Sequence, residues 1–112
     1  MALHHAISGE LIDIRPYGPA LACATTRALY KSAHLELFRM VLPSGKAMPS
    51  HQVKGEITVQ CLEGSVEFKV GEAGRVMRQG DLLCLEGGAA HSVTALEASS
   101  LLVTILLHPG PA

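Results

Sequence analysis

Apolar and polar residues alternate with a period of two along the middle of the chain. Residues 57–61 and 66–70 carry Ile, Val, Phe and Cys at every second position, with Thr, Gln, Glu and Lys between them. This is the pattern of strands with one buried and one polar face. Gly64 lies between the two segments, where a tight hairpin needs a residue that tolerates a positive φ. The pattern therefore predicts a β-hairpin, followed by a second reversal at 71–74.

Prolines and glycines divide the rest of the chain into short segments. Residues 35–42 and 81–85 each predict a strand. Residues 21–31 are ambiguous, because their alanine content suits a helix whereas the Cys-Ala-Thr-Thr run and the strand-rich surroundings favour an extended conformation, which we expect. Many short strands separated by turns indicate an all-β sandwich or barrel.

Residues 101–107 lack this alternation, since Thr104 is their one polar residue. A strand with that composition has to bury both faces. One face can line the interior. The other has to be covered by the N-terminal segment or by a second copy of the chain, and we therefore expect a homodimer.

Composition and charge narrow the class of protein. The 112 residues are 48% hydrophobic and 17% charged, which excludes a disordered chain and suits one globular domain spanning 1–112.

The net charge is -1 and the basic residues are scattered, so we expect no nucleic-acid partner. The apolar run at 101–107 is far shorter than the roughly 20 residues of a membrane helix, so we expect no membrane partner. The N-terminus lacks a secretory signal, and the three cysteines show no C-x-x-C spacing, so we expect buried free thiols and a cytoplasmic protein.

Two stretches each place a histidine after a glycine-containing turn. Their spacing resembles the two motifs of the cupin superfamily, G-x5-H-x-H-x3,4-E-x6-G and G-x5-P-x-G-x2-H-x3-N. The resemblance covers about residues 35–107. The positions that keep the family spacing are Gly45, His51, Gly64, Gly80, Gly88 and His91.

The departures from the motifs concern the metal ligands above all. Val53 stands in the place of the second histidine and Ile57 in the place of the glutamate. Glu86 replaces the proline of the second motif, and Ala95 replaces its asparagine.

The resemblance implies a double-stranded β-helix, or cupin jelly-roll barrel, formed by 35–107, with 1–31 as an N-terminal arm or extra strands. It also implies that His51 and His91 lie on the inner wall of one pocket. Cupins bind a divalent metal there through three or four side chains and use it for oxygenation, isomerisation, decarboxylation or ligand sensing. With two of those ligands remaining, a metal such as Fe, Mn, Ni or Zn would need a third donor.

Three side chains are candidates for that donor, and each has a structural alternative. Glu56 reads as an exposed carboxylate in a loop, unless a bulge near Gly55 turns it inward. Gln60 has the parity of an outward-facing residue, and the alternative is a place in a dimer interface. His34 precedes a strand and reads either as a residue of the barrel mouth or as a surface histidine.

Three functional hypotheses follow. The first is a cupin that binds a small organic molecule, with or without a divalent metal. The second is a metal-dependent oxygenase or isomerase, and the third is a dimeric regulatory or structural module whose pocket is filled by its own side chains. A pocket well below about 300 Å³ would favour the third. Besides the two histidines, the residues expected to line the pocket are Met40, Val53, Ile57, Val59, Phe68 and Leu83.

Overall fold

The computed structural model of the chain describes residues 5–107. Residues 1–4 and 108–112, the two ends of the predicted domain, lie outside the described part. The described residues form nine strands and one short 3-10 helix, Gly18–Cys23. The strands are β1 Arg27–Lys31, β2 Leu35–Leu42, β3 Ala47–His51, β4 Ile57–Glu63, β5 Ser65–Val70, β6 Ala73–Arg78, β7 Leu82–Leu85, β8 His91–Ala95 and β9 Ser99–Leu106.

The strands form two sheets in which every pair of neighbours is antiparallel. One sheet has the order β1-β2-β9-β4-β7 and the other has the order β3-β8-β5-β6. Both sheets contribute to a single cluster of buried apolar side chains, among them Val59 and Leu101 from the first sheet and Val66 and Met77 from the second. The prediction of an all-β fold is confirmed.

The alternation seen in the sequence corresponds to the faces of β4 and β5. Ile57, Val59 and Cys61 are buried, and the two strands turn at Gly64, whose φ of 83° lies in the left-handed region. The next reversal follows at 71–72, and β6 begins at Ala73. The predicted hairpins are therefore present.

Neither of the two conformations considered for 21–31 describes the whole segment. Residues 21–23 complete the 3-10 helix, which has a proline in its first turn, whereas Arg27–Lys31 forms β1. Thr26 lies directly before β1, and its hydroxyl accepts a hydrogen bond from the backbone N–H of Val41 in β2 at 2.9 Å. The expected extended conformation is thus correct for the second half of the segment only.

Strand β9 lies in the middle of its sheet, between β2 and β4. Leu101 and Val103 point into the core. The expectation that both faces are buried is wrong for the outer face, where Leu102 and Thr104 are half-buried and Leu106 is 41% exposed. The described residues before β1, 5–26, form what we call the N-terminal arm, which donates backbone hydrogen bonds to Leu29 of β1 and to Glu63 of β4 in this sheet.

A buried ion pair fastens this arm to the outer face of the five-stranded sheet. Arg39 and Glu63 are 2% and 7% exposed, with Arg39 Nη2 lying 3.0 Å from Glu63 Oε2. The backbone N–H groups of Tyr17 and Gly18 donate to the same carboxylate at 2.9 and 3.1 Å. The Tyr17 ring also covers the guanidinium of Arg39, 3.9 Å from ring centre to Cζ. These contacts fix the arm at one end of the sheet.

The cysteines are free, as expected, but two of the three are exposed. Cys23 and Cys84 face solvent and Cys61 is buried. Burial raises the pKa of the Cys61 thiol, which gives it no tendency to act as a thiolate nucleophile. Among residues 5–107, no helix has the length and apolarity that crossing a membrane would require.

Candidate functional site

The structure brings His51 and His91 together at one end of the barrel. His51 ends β3, His91 begins β8, and their Cα atoms are direct partners across the antiparallel pair. Side chains at such positions stand on the same face of a sheet. Their ring centroids lie 4.3 Å apart, with an angle of 57° between the ring planes. The fold thus places the imidazoles of two histidines that are 40 positions apart in the sequence next to each other.

Each imidazole is oriented by the backbone carbonyl of the residue two positions before it in the chain. His91 Nδ1 lies 2.9 Å from the oxygen of Ala89, and His51 Nδ1 lies 3.3 Å from the oxygen of Pro49. Because a carbonyl can only accept, Nδ1 of each ring carries the proton in this arrangement. Nε2 is then the basic atom, available to accept a hydrogen bond or to bind a metal.

The two rings differ in their exposure to solvent. His91 is 6% exposed and stacks on Phe68 with ring centroids 5.7 Å apart and an interplanar angle of 8°. His51 is exposed and lies on the outer side of the pair. The pair therefore forms the mouth of the barrel, with one ring in the wall and the other at the rim.

Behind the pair is an apolar cavity of about 40 Å³ between the two sheets. Five of the six residues expected to line it do so, and Leu83 does not. Leu83 packs against the core from the edge strand β7, beyond the end of the cavity. The lining consists of Phe38, Met40, His51, Val53, Ile57, Val59, Phe68, His91, Val93, Leu101, Val103 and Ile105.

Some of the lining residues were missed by the sequence analysis. Phe38 lies two positions from Met40, and Val93 lies two positions from His91, so each shares a strand face with a predicted pocket residue. The two-residue period of a strand could therefore have identified both. The three from β9 had no such signal, because their strand is apolar on both faces.

The three candidate donors are not brought to the histidine pair. Glu56 is exposed, and β4 begins without a bulge at Ile57, so its carboxylate stays outside the barrel. Gln60 is the Cα partner of Leu102 and Leu82 on the outer face of the sheet. His34 is exposed in the turn between β1 and β2.

The donor set does not fit the metal centre that the motifs would imply. Among residues 5–107, no group of three or more His, Cys, Asp or Glu side chains is arranged to hold an ion. Val53 and Ile57 line the cavity at the positions of the missing ligands. Protein sites for catalytic metals normally supply three ligands, so two imidazoles alone would hold a divalent ion weakly.

No protein-family model and no curated protein matches the chain. Solved structures do match it. A cupin superfamily protein from Desulfitobacterium hafniense has a TM-score of 0.73 at 13% identity, covering 88% of this chain and 100% of that one. An RmlC-like cupin from Desulfovibrio desulfuricans has a TM-score of 0.67 at 24% identity, covering 95% and 96%. The DMSP lyase DddQ from Ruegeria pomeroyi has a TM-score of 0.68 at 22% identity, covering 79% and 49%.

These similarities establish the fold of the chain. It is the cupin fold, a jelly-roll β-barrel, as the resemblance to the two cupin motifs implied.

Proposed function

We propose that this protein binds a small organic molecule at the mouth of the barrel. The observation that carries the proposal is the pair of oriented imidazoles at the edge of an otherwise apolar cavity. A polar group of the ligand would donate to Nε2 of His51 or His91, and an adjoining apolar group would enter between the sheets. Ligand sites commonly combine an apolar lining with a few placed polar groups.

The size of the cavity limits what can enter it. About 40 Å³ is far below the roughly 300–1,000 Å³ of pockets that enclose a whole ligand. A short alkyl group fits, so most of any larger molecule would remain at the rim beside His51. The small volume of the cavity also supports the structural-module hypothesis, in which the protein binds no ligand. The following experiment distinguishes that hypothesis from ligand binding.

Filling the cavity mouth should abolish binding. With isobutanol and isobutyramide as probes, we expect saturable shifts of the methyl NMR signals of Met40, Val53 and Ile57 in the wild-type protein. Val53→Phe should weaken this binding at least tenfold, because the larger ring occupies the space of the alkyl group. Val76→Phe is the matched control, since Val76 is 42% exposed on β6. Unsaturable shifts, or equal affinity in Val53→Phe, would contradict the proposal.

The alternative hypothesis, a metal-dependent enzyme, predicts a different result from ligand binding. Among the solved structures of this fold, the DMSP lyase is an enzyme by its name. Near-stoichiometric metal in protein purified without chelator, lost in His51→Ala, would favour an enzyme of this kind. A metal-free protein that keeps its stability on that substitution would favour ligand binding.

We also propose that a second copy of the chain covers the outer face of the five-stranded sheet. Leu82, 63% exposed, and Leu106 lie on this face beside the half-buried Leu37 and Leu102. The residues between them on this face are polar but uncharged, since Gln60 is the Cα partner of Leu82 and Leu102, and Thr104 is that of Leu37. Such a surface is typical of contacts between subunits.

A charge on this surface should separate the subunits. We expect light scattering after size exclusion to give twice the mass of the chain for the wild type and the mass of one chain for Leu82→Glu. Leu96→Glu is the control, because Leu96 is 52% exposed in the turn after β8. A monomeric wild-type protein would refute the proposed dimer.

A further inference from the structure

A second and larger cavity lies outside the barrel, between the N-terminal arm and the outer face of the five-stranded sheet. Its volume is about 250 Å³. Leu11 and Ile12 of the arm and Leu29 of β1 form apolar walls, and Arg27 and Arg39 lie at the sheet. It is about six times as large as the cavity behind the histidine pair, and it combines apolar walls with cationic groups.

The two arginines of this cavity lie directly opposite each other. Arg27 and Arg39 are Cα partners across β1 and β2, so their side chains share a face. Like charges at directly opposed positions destabilise a sheet. Glu63 neutralises Arg39 at 3.0 Å. Arg27 has no such partner among residues 5–107.

The Arg27 side chain also carries an unsatisfied buried donor. Its Nε is inaccessible to solvent and has no hydrogen-bond partner among the described residues. A buried donor without an acceptor destabilises the folded state, so such a group in a folded protein calls for a specific explanation. Because solvent does not reach Nε, a ligand in the cavity would contact the terminal nitrogens of the same guanidinium group.

The acidic residues of the cavity are engaged elsewhere. Asp13 pairs with Arg15 at 3.4 Å, and both side chains are exposed. The Glu10 carboxylate accepts a hydrogen bond from the backbone N–H of Ile7 at 3.0 Å. Both acids belong to the exposed arm, whereas the unpaired cation lies on the sheet beneath it.

We propose that this cavity is a second ligand site, specific for a small organic carboxylate. The carboxylate would accept from the two terminal guanidinium nitrogens of Arg27, one of the paired geometries that arginine offers to carboxylates. The hydrocarbon part would lie against Leu11, Ile12 and Leu29. The site uses no residue of the histidine pair, and the proposal is independent of the proposed function.

The test is a titration of the full chain with butanoate, followed by backbone amide NMR. We expect saturable shifts at Leu11, Ile12 and Leu29, and at least tenfold weaker binding in Arg27→Gln. Arg75→Gln is the matched control, because it removes one exposed positive charge from β6. Val53→Phe should leave butanoate binding at this site unchanged. A failure of the proposed site beside Arg27 can therefore be distinguished from a failure of the proposed barrel site.

Further probes decide what kind of ligand the site recognises. Butan-1-ol should fail to bind, because it lacks the charge, and inorganic phosphate should bind at least tenfold more weakly, because it lacks the apolar part. Equal binding of phosphate and butanoate would overturn the assignment to an organic carboxylate. Equal affinity of wild type and Arg27→Gln for butanoate would overturn the site itself.

The stability of the free protein gives a second readout. Without added anion, Arg27→Gln should unfold at the same temperature as the wild type or at a higher one, because the substitution removes an unpaired cation opposite Arg39. A purely structural arginine would behave in the opposite way. A clear fall in the unfolding temperature would therefore contradict a binding role for Arg27.

Discussion

Replacing Glu63 with alanine will lower the free energy of unfolding by about 3–5 kcal/mol, the range found when one partner of a buried ion pair is removed. Arg39 would remain 2% exposed with its charge uncompensated. The Ser100 hydroxyl, which donates to Glu63 Oε2 at 2.7 Å, would lose its acceptor as well. So would the backbone N–H groups of Tyr17 and Gly18, and the arm would lose its attachment to the sheet.

Urea denaturation of the wild type and Glu63→Ala measures this loss. Glu72→Ala is the matched control, because Glu72 is an exposed carboxylate in the turn between β5 and β6. Its removal should change stability by less than about 0.5 kcal/mol. A loss below about 1 kcal/mol for Glu63→Ala would show that the buried pair contributes little.

The pH dependence identifies the carboxylate as the source of the effect. Burial by itself raises the pKa of Glu63, but hydrogen bonds from Ser100, from the N–H groups of Tyr17 and Gly18 and from Arg39 outweigh it and hold the pKa below its ordinary value of 4.5. A lowered pKa in the folded state stabilises the protein fully above 4.5, and the gain is lost as pH falls through the folded value. The stability difference between wild type and Glu63→Ala should therefore narrow below pH 4.5 and stay constant above it.

Gly64→Ala should be similarly damaging, for a steric reason. At a φ of 83° an alanine is in the left-handed conformation, which costs about 1–2 kcal/mol. A Cβ at this position would also collide with the carbonyl oxygen of Ala98 and with the Oγ and Cα atoms of Ser99, which is fully buried. Forced overpacking costs a further 1–3 kcal/mol or so, which gives a total of about 2–5 kcal/mol.

The chain contains a control that isolates the collision. Gly45 has the same φ of 83°, but a Cβ there would meet nothing within 4 Å. Gly45→Ala should therefore show the cost of the left-handed conformation alone, about 1–2 kcal/mol. Equal losses of unfolding free energy for the two variants in urea would mean that the hairpin moves away from Ala98 without cost.

Much of the barrel could be predicted because the side-chain period of a strand is two. That rule assigned Ile57 and Val59 to the interior, and the resemblance to the cupin motifs then implied that His51 and His91 share one pocket. The same rule placed Leu83 on the correct face but could not show that the cavity ends before β7. For 101–107 the rule gave no face at all, because apolar residues occupy nearly every position.

The buried ion pair escaped sequence reasoning because the strand is irregular where it forms. By parity alone, Glu63 shares the face of Val59 and Cys61 and would point into the core. The register of β4 against β9 shifts between Cys61 and Glu63, as at a β-bulge. The shift turns the carboxylate to the outer face, where Arg39 lies. Neither the bulge nor a partner 24 residues away has a signature in the hydrophobic pattern.

The hydrocarbon side chains beside the two imidazoles have an evolutionary consequence. Val53 and Ile57 line the same cavity as His51 and His91, at the positions where related motifs supply a histidine and a glutamate. Two substitutions would therefore separate an apolar pocket from one that offers four metal ligands, although a glutamate at position 57 would enter a site where Ile57 is 4% exposed. Proteins that share this shape can therefore differ in their chemistry.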